Sequence, residues 1–245
     1  MSSSSRARLS LIAFFAIAAL VCARLGVWQV NRLRERREMN RLALQARAAP
    51  TVQLDGEMTG DSSLIERRVT AAGRYDHAHD LVLRGKAYQG APGVEIVTPL
   101  VFPGGRTAVL VNRGFVPAPD ALTVETDSLR EPGEVRVEGI ALGVPSGSGA
   151  PLARGDRTSW SRLDLEALAS RLPYTLAPIY IRQLPDTALP RFPRRLAAPP
   201  IDDGPHLNYV VQWFAFAIMA IVFGVVVWRQ NTARKGVTRP APQSS

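Results

Sequence analysis

The chain has 245 residues, a formal net charge of +9, and 46% hydrophobic and 7% aromatic content. The charge is uneven: residues 1–47 carry nine Lys/Arg against two acids, residues 48–205 carry 17 against 19, and residues 206–245 carry four against none. A nearly neutral middle between basic flanks excludes a nucleic-acid-binding face and points to lipid headgroups as the partner of the basic residues; the single cysteine, Cys22, excludes an internal disulfide framework and a cysteine-based metal site.

After a short basic tail, 1–8, the run LSLIAFFAIAALVCARLGVW (9–28) is interrupted by Arg24 alone and approaches the ~20 residues that cross a bilayer, so it predicts a transmembrane helix over 9–30. The same stretch also resembles a signal peptide with an acceptable cleavage site at Val21-Cys22-Ala23. NRLRERREMNRLALQARA contains no Gly or Pro, which predicts a basic juxtamembrane helix over 31–47 with its arginines at headgroup level. Short runs rich in β-branched and aromatic residues follow, RVTAAGRYD, DLVLRGKAY, VEIVTPLVF, TAVLVNRGFV, EVRVEGIAL, RTSWSRL and PIYIRQL, with turn residues between them. They predict antiparallel strands in one β-rich domain, 48–184, folded as a small barrel or a sandwich. One helix is expected at Asp164–Leu172, capped by Asp164 and ended by Pro173. Residues 185–205 hold six prolines without amphipathic period and read as an extended tether. Residues 206–229 form a second span and 230–245 a basic tail. The fold class is therefore an α+β membrane protein, with two transmembrane helices flanking a mostly antiparallel β domain.

Asp202-Asp203 before the second span and the basic residues after it favour a cytoplasmic C-terminus, whereas Arg32, Arg34, Arg36, Arg37 and Arg41 after the first span oppose Arg6 and Arg8 before it. Charge counting alone leaves the orientation open.

Motifs for hydrolytic, zinc-dependent, nucleotide-binding or dithiol chemistry are absent from the sequence. An enzyme is not indicated, although a site assembled by the fold alone would escape such a search. His77 and His79 flank a turn beside Asp76 and Asp80 and are expected to be solvent-exposed turn residues. Arg113-Gly114, at the end of the strongest strand, either aims a guanidinium at a partner or pairs it with an acidic neighbour while Gly114 permits a bulge. At the start of the second span, His206, Tyr209, Trp213, Phe216 and Ala220 recur at steps of three or four, with Gln212 adjoining. This face is either an interfacial aromatic belt or a haem site, since a neutral imidazole is a standard axial ligand and aromatic rings can wall a macrocycle. With both tails on one side, Trp28-Gln29 and Gln212-Trp213 reach the same membrane boundary, flanked by Arg24 and Arg32, which either neutralise a ligand's acidic groups or reach lipid phosphates.

LGVWQVNRLRER (25–36), the V-x-x-x-G-x-Y-D run at Val69–Asp76, APGVEIVTPLVF (91–102), VLVNRGFVP (109–117) and PHLNYVVQWFAFA (205–217) together resemble the Surfeit locus protein 1 family, in order and over nearly the whole chain. Phe115 stands where the family commonly has Trp. The resemblance implies a non-enzymatic assembly factor for haem-copper cytochrome c oxidase in the bacterial plasma (inner) membrane, with both termini cytoplasmic, the β domain extracytoplasmic and the first span kept as an anchor. It implies haem a as cofactor, His206 as the axial ligand of its iron, and partners in the oxidase catalytic subunit and haem A synthase as well as the bilayer. On this basis the cofactor-binding set is His206, Tyr209, Gln212, Trp213, Trp28, Gln29, Arg24 and Arg32. The alternative is a scaffold that binds no haem and docks an oxidase subunit through the β domain.

Overall fold

The computed structural model describes residues 3–56, 62–144, 149, 151–154 and 157–236. Most of the glycine-rich stretch at 145–155 and the tail beyond Gly236 lie outside the described residues. The chain divides into two units, residues 1–41 with 202–245, and residues 42–201. The first unit is a pair of helices, α1 (Ser3–Ala48), whose last turns belong to the second unit, and α3 (His206–Gly236).

The second unit is built on β1 (Val52–Leu54), β2 (Arg68–Tyr75), β3 (Leu81–Tyr88), β4 (Ala91–Val101), β5 (Thr107–Pro117), β6 (Glu134–Gly143), β7 (Pro151–Arg154), β8 (Arg157–Trp160) and β9 (Thr175–Gln183), with the short helix α2 at Leu165–Ala169. Strands β2, β6, β9, β5 and β4 pair in that order, and β4 returns to β2 through Arg74 opposite Val101 and Tyr75 opposite Leu100. The result is a five-stranded barrel, which decides between the two architectures expected from sequence. Most pairings are antiparallel; β5–β9, β1–β2 and β3–β8 are parallel.

Period-two alternation explains which side chains fill the barrel. Along β2, Val69, Ala71 and Tyr75 turn inward while Arg68, Ala72 and Arg74 stay exposed. Inside, these meet Leu100, Val109, Val111, Val137, Ile179 and Ile181. The β5 strand is instead buried on both faces, because Leu110 points the other way into a second cluster with Leu83, Trp160, Leu163 and Leu168. Asp164 caps α2 by accepting from the Ala167 amide at 3.1 Å. The helix ends at Ala169, short of the expected Leu172, because the residue before Pro173 is disfavoured in helical conformation. Strands β1 and β7 lie outside the runs that sequence singles out.

The conformation of β5 is irregular at one place. Opposite β4, Ile96 pairs with Gly114 and Val97 with Asn112, so Arg113 is an extra residue in a bulge, and its side chain is fully buried. Its Nη2 donates to Glu131 Oε1 at 2.6 Å and to the Leu129 carbonyl, Nη1 donates to Thr98 Oγ1 at 3.3 Å, and the guanidinium lies 5.0 Å from the centre of the Tyr75 ring. The same Glu131 oxygen accepts from Arg195, whose Nε donates to Gln183 at 3.0 Å and Nη1 to the Pro193 carbonyl at 2.9 Å. Arg113 is therefore paired inside the fold, the structural alternative of the two read from sequence. Gly114 has φ +114°, and a Cβ there would strike the Arg194 backbone, which exchanges two hydrogen bonds with Phe115 at 2.9 and 2.7 Å. These contacts make residues 192–195 a pinned segment of the β unit, where sequence suggested a plain extended tether.

His77 also differs from expectation. Its side chain is only 11% exposed; Nδ1 lies 3.2 Å from Asp80 Oδ2, and Nε2 accepts from the Glu131 amide at 3.0 Å. The turn residue is thus drawn under the 129–131 loop by the same polar cluster. His79 is 36% exposed and bonds Asp76 at 2.6 Å. No group of three metal-ligating side chains occurs among the described residues.

Burial alone would push the Glu131 carboxyl up, but hydrogen bonds and charge from Arg113 and Arg195 overcome it and hold the group below the usual carboxylate range. Replacing Glu131 by Gln leaves two buried guanidinium groups short of a counter-charge, and the variant is expected to lose about 3–5 kcal/mol in denaturant unfolding of the β unit. A depressed carboxyl contributes its stability above the unfolded-state pKa of about 4.3 and loses it as pH falls through the lower folded-state value. Wild type should therefore lose stability on acidification below that range, and E131Q should lose less of it.

Candidate functional site

Helices α1 and α3 both contain segments long and apolar enough to cross a membrane, Leu9–Ala48 and His206–Gln230. At 1.5 Å per residue α1 is about 69 Å long, more than twice a ~30 Å hydrocarbon core, so its charged second half projects beyond the lipid. The two helices run antiparallel, with Phe15 stacked on Phe223 at 5.9 Å, Gly26 against Phe214, and Gln29 beside His206.

The protected positions recur at alternating steps of three and four: Ile12, Phe15, Ala19, Cys22, Gly26 and Gln29 on α1, and His206, Val210, Trp213, Ala217, Ala220, Gly224 and Val227 on α3. This is the 3.5-residue seam of a left-handed helix pair. Small residues dominate its centre because, in lipid, close packing rather than water exclusion holds helices together. A Cβ at Gly26 would lie 3.0 Å from the Phe214 ring, and one at Gly224 3.4 Å from Phe15 Cβ. Beyond the seam, Arg37 Nε donates to Asp203 Oδ2 at 2.8 Å, and the Asn40 amide donates to the Asp202 carbonyl at 2.8 Å. The hydrogen bond from Arg37 holds the exposed Asp203 carboxyl below its usual range.

The seam coincides with the expected ligand face only in part. It passes through His206, Trp213 and Ala220 as read from sequence, but Val210 and Ala217 complete it in place of Tyr209 and Phe216. Tyr209 is 43% and Phe216 38% exposed, since aromatic bulk at either position would hold the backbones apart. Gln212, Trp28 and Arg24 are exposed as well, so the two Trp-Gln pairs do not face each other. Arg32 is exposed and bonds Glu35 at 2.8 Å.

What the seam does bring together is Gln29 and His206. Gln29 is 8% exposed, and a buried amide within an apolar helix needs a partner. Its Oε1 lies 2.9 Å from His206 Nδ1, and since an amide oxygen only accepts, this contact is a hydrogen bond in the ring form protonated at Nδ1. The Nε2 lone pair then remains for a ligand. Gly204, with φ +66°, a conformation that favours glycine, precedes the ring on the Nε2 side; a Cβ there would lie in ordinary contact at 3.9 Å from Nε2. Trp213 lies two turns further along the seam, edge-on to Phe216 at 5.9 Å. An imidazole bonded through Nδ1, at the start of an apolar helix that carries Trp213 two turns on, has the donor chemistry of a haem-iron ligand.

Fold and site together define a membrane-anchored protein with a small β barrel carried between two paired helices. Residues 16–218 match the SURF1 family, and the chain belongs to it; the family is known for oxidase assembly factors. A SURF1-like protein of Monosiga brevicollis is 25% identical over 236 residues, 89% of this chain and 88% of that one. The Surfeit locus protein 1 of Takifugu rubripes is 25% identical over 206 residues, 78% and 85% of the two chains. An uncharacterized SURF1-like protein of Mycobacterium bovis is 29% identical over 179 residues, 69% of this chain and 62% of that one.

A leucine at Gly26 must displace the Phe214 ring and part the helices. Cysteines introduced at Phe15 and Phe223 in a Cys22→Ser background should cross-link in the otherwise native chain, and Gly26→Leu should reduce the cross-linked fraction severalfold.

Proposed function

We infer that the protein assists assembly of haem-copper cytochrome c oxidase by holding haem a at His206 and passing it to the catalytic subunit. The observation that carries this reading is the His206 imidazole bonded through Nδ1 to Gln29, which leaves Nε2 outside that bond, on the side of Gly204. His206 would bind the iron, while Trp213 and the neighbouring apolar helix surface would shelter the macrocycle. When bound, the haem would supply the redox-active iron the oxidase needs; the chain's own task would be to hold it. Exposed Tyr209, Gln212, Trp28 and Arg24 belong to this reading as the outer rim that a flat ligand or an oxidase subunit would meet. Haem A synthase is the corresponding source of the ligand.

In this reading the start of α1 and the end of α3 lie on the same, cytoplasmic side of a cell's inner or plasma membrane, which the basic residues Arg229, Arg234, Lys235 and Arg239 favour. The β unit would then be extracytoplasmic.

Detergent-purified protein from cells making haem A should show haem absorbance in wild type and little in His206→Ala. Unchanged haem content in the variant sinks the ligand assignment. A colourless wild type that still co-purifies with the oxidase would instead favour a docking scaffold.

A further inference from the structure

Among the described residues, Gln29 is the buried side chain whose polar atom meets the His206 ring. Its own position on the seam gives it no route to an iron on the far side of the imidazole, because Oε1 is already committed to Nδ1. Its effect must pass through the ring. A histidine in water exchanges its proton between two nitrogens, and only the tautomer protonated at Nδ1 leaves Nε2 available as a ligand.

We propose that Gln29 is the positioning residue of the site: its carbonyl oxygen holds His206 as the Nδ1-protonated tautomer, fixes the ring plane, and directs the Nε2 lone pair toward an iron porphyrin. The chemistry is that of metal-bound histidines, whose second nitrogen is held by an oxygen acceptor that orients the ring and raises its basicity. The membrane setting strengthens the constraint. Gln29 is buried between the helices, and His206 supplies a partner for its amide oxygen there. Gly26, one turn before Gln29, lets Phe214 approach and sets the helix separation at which the bond forms. The Asp202 and Asp203 contacts with Arg36, Arg37 and Asn40 hold the first residues before α3 against α1, just beyond the bond.

This proposal rests on the haem-binding reading, and its test separates the two. The chain has only three histidines, so ring-nitrogen NMR of the ¹⁵N-histidine-labelled full chain in detergent micelles can be assigned by comparison with His206→Ala. Without haem, wild type should show His206 protonated at Nδ1, Gln29→Leu should shift the ring toward the Nε2-protonated form, and Gln29→Glu, which keeps an oxygen acceptor, should restore the wild-type pattern. A ring protonated at Nε2 in wild type, or unchanged in Gln29→Leu, overturns the proposal whether or not haem binds. Titration with ferric haem should then show roughly 10–100-fold weaker binding to Gln29→Leu and near-native binding to Gln29→Glu, with a changed Soret band in the former. Equal affinity and equal spectra in all three proteins overturn the positioning role while leaving haem binding in place. Absence of haem binding in wild type, with the tautomer shift present, removes the haem reading and leaves Gln29 as the residue that sets the ring.

Discussion

A single carboxylate oxygen, Glu131 Oε1, accepts hydrogen bonds from two buried guanidinium groups, and the β unit is organised about it. Arg113 comes from the bulge in β5, Glu131 from the loop after Leu129, and Arg195 from the segment that follows the barrel. Burying such charges costs several kcal/mol per ion, which the carboxylate and the carbonyls of Leu129 and Pro193 must offset. What the ions supply is placement. An apolar side chain could fill the same volume in several rotamers, whereas a guanidinium fork satisfies its donors in one arrangement. The bulge is thereby fixed, Gly114 is required beside it, and Phe115 presents its backbone to Arg194. Thr98 and Asp80 extend the cluster to His77, so the turn between β2 and β3 is tied to the same centre.

The helical unit applies the same logic in lipid with fewer groups. Its seam is small and apolar except at one end, where an amide and an imidazole meet. Two polar side chains facing hydrocarbon would each be costly; facing each other they specify the register of the pair. Outside the lipid the register is repeated by Arg36, Arg37 and Asn40 on Asp202 and Asp203.

The strands were legible from sequence because half-buried β segments alternate, as β2 does from Arg68 to Tyr75. Barrel and sandwich were not separable, since both need that alternation and the difference lies in which distant strands meet. The parallel pairing of β5 with β9 and the return of β4 to β2 leave no local mark. Arg113-Gly114 announced a bulge, but its partners lie 18 residues on and then 64 more, in segments without periodicity. On α3, steps of three and four admit two seams through His206, Trp213 and Ala220, and only the need for close approach selects Val210 and Ala217 over Tyr209 and Phe216. Charge counting was ambiguous because arginines stand on both flanks of the first span, Arg6 and Arg8 before it and Arg32, Arg34, Arg36, Arg37 and Arg41 after it.

The sharing of Glu131 also orders events in time. The chain emerges from its N-terminus, so α1 is complete while the carboxylate and its second guanidinium are still unmade. Arg113 and Glu131 can meet early, but Arg195 is 64 residues later, and β9, the strand parallel to β5, falls within that interval. Closure of the barrel must therefore wait for β9, and a chain stopped before that strand leaves the edges of β5 and β6 unpaired, while one stopped before Arg195 leaves Glu131 bonded to Arg113 alone.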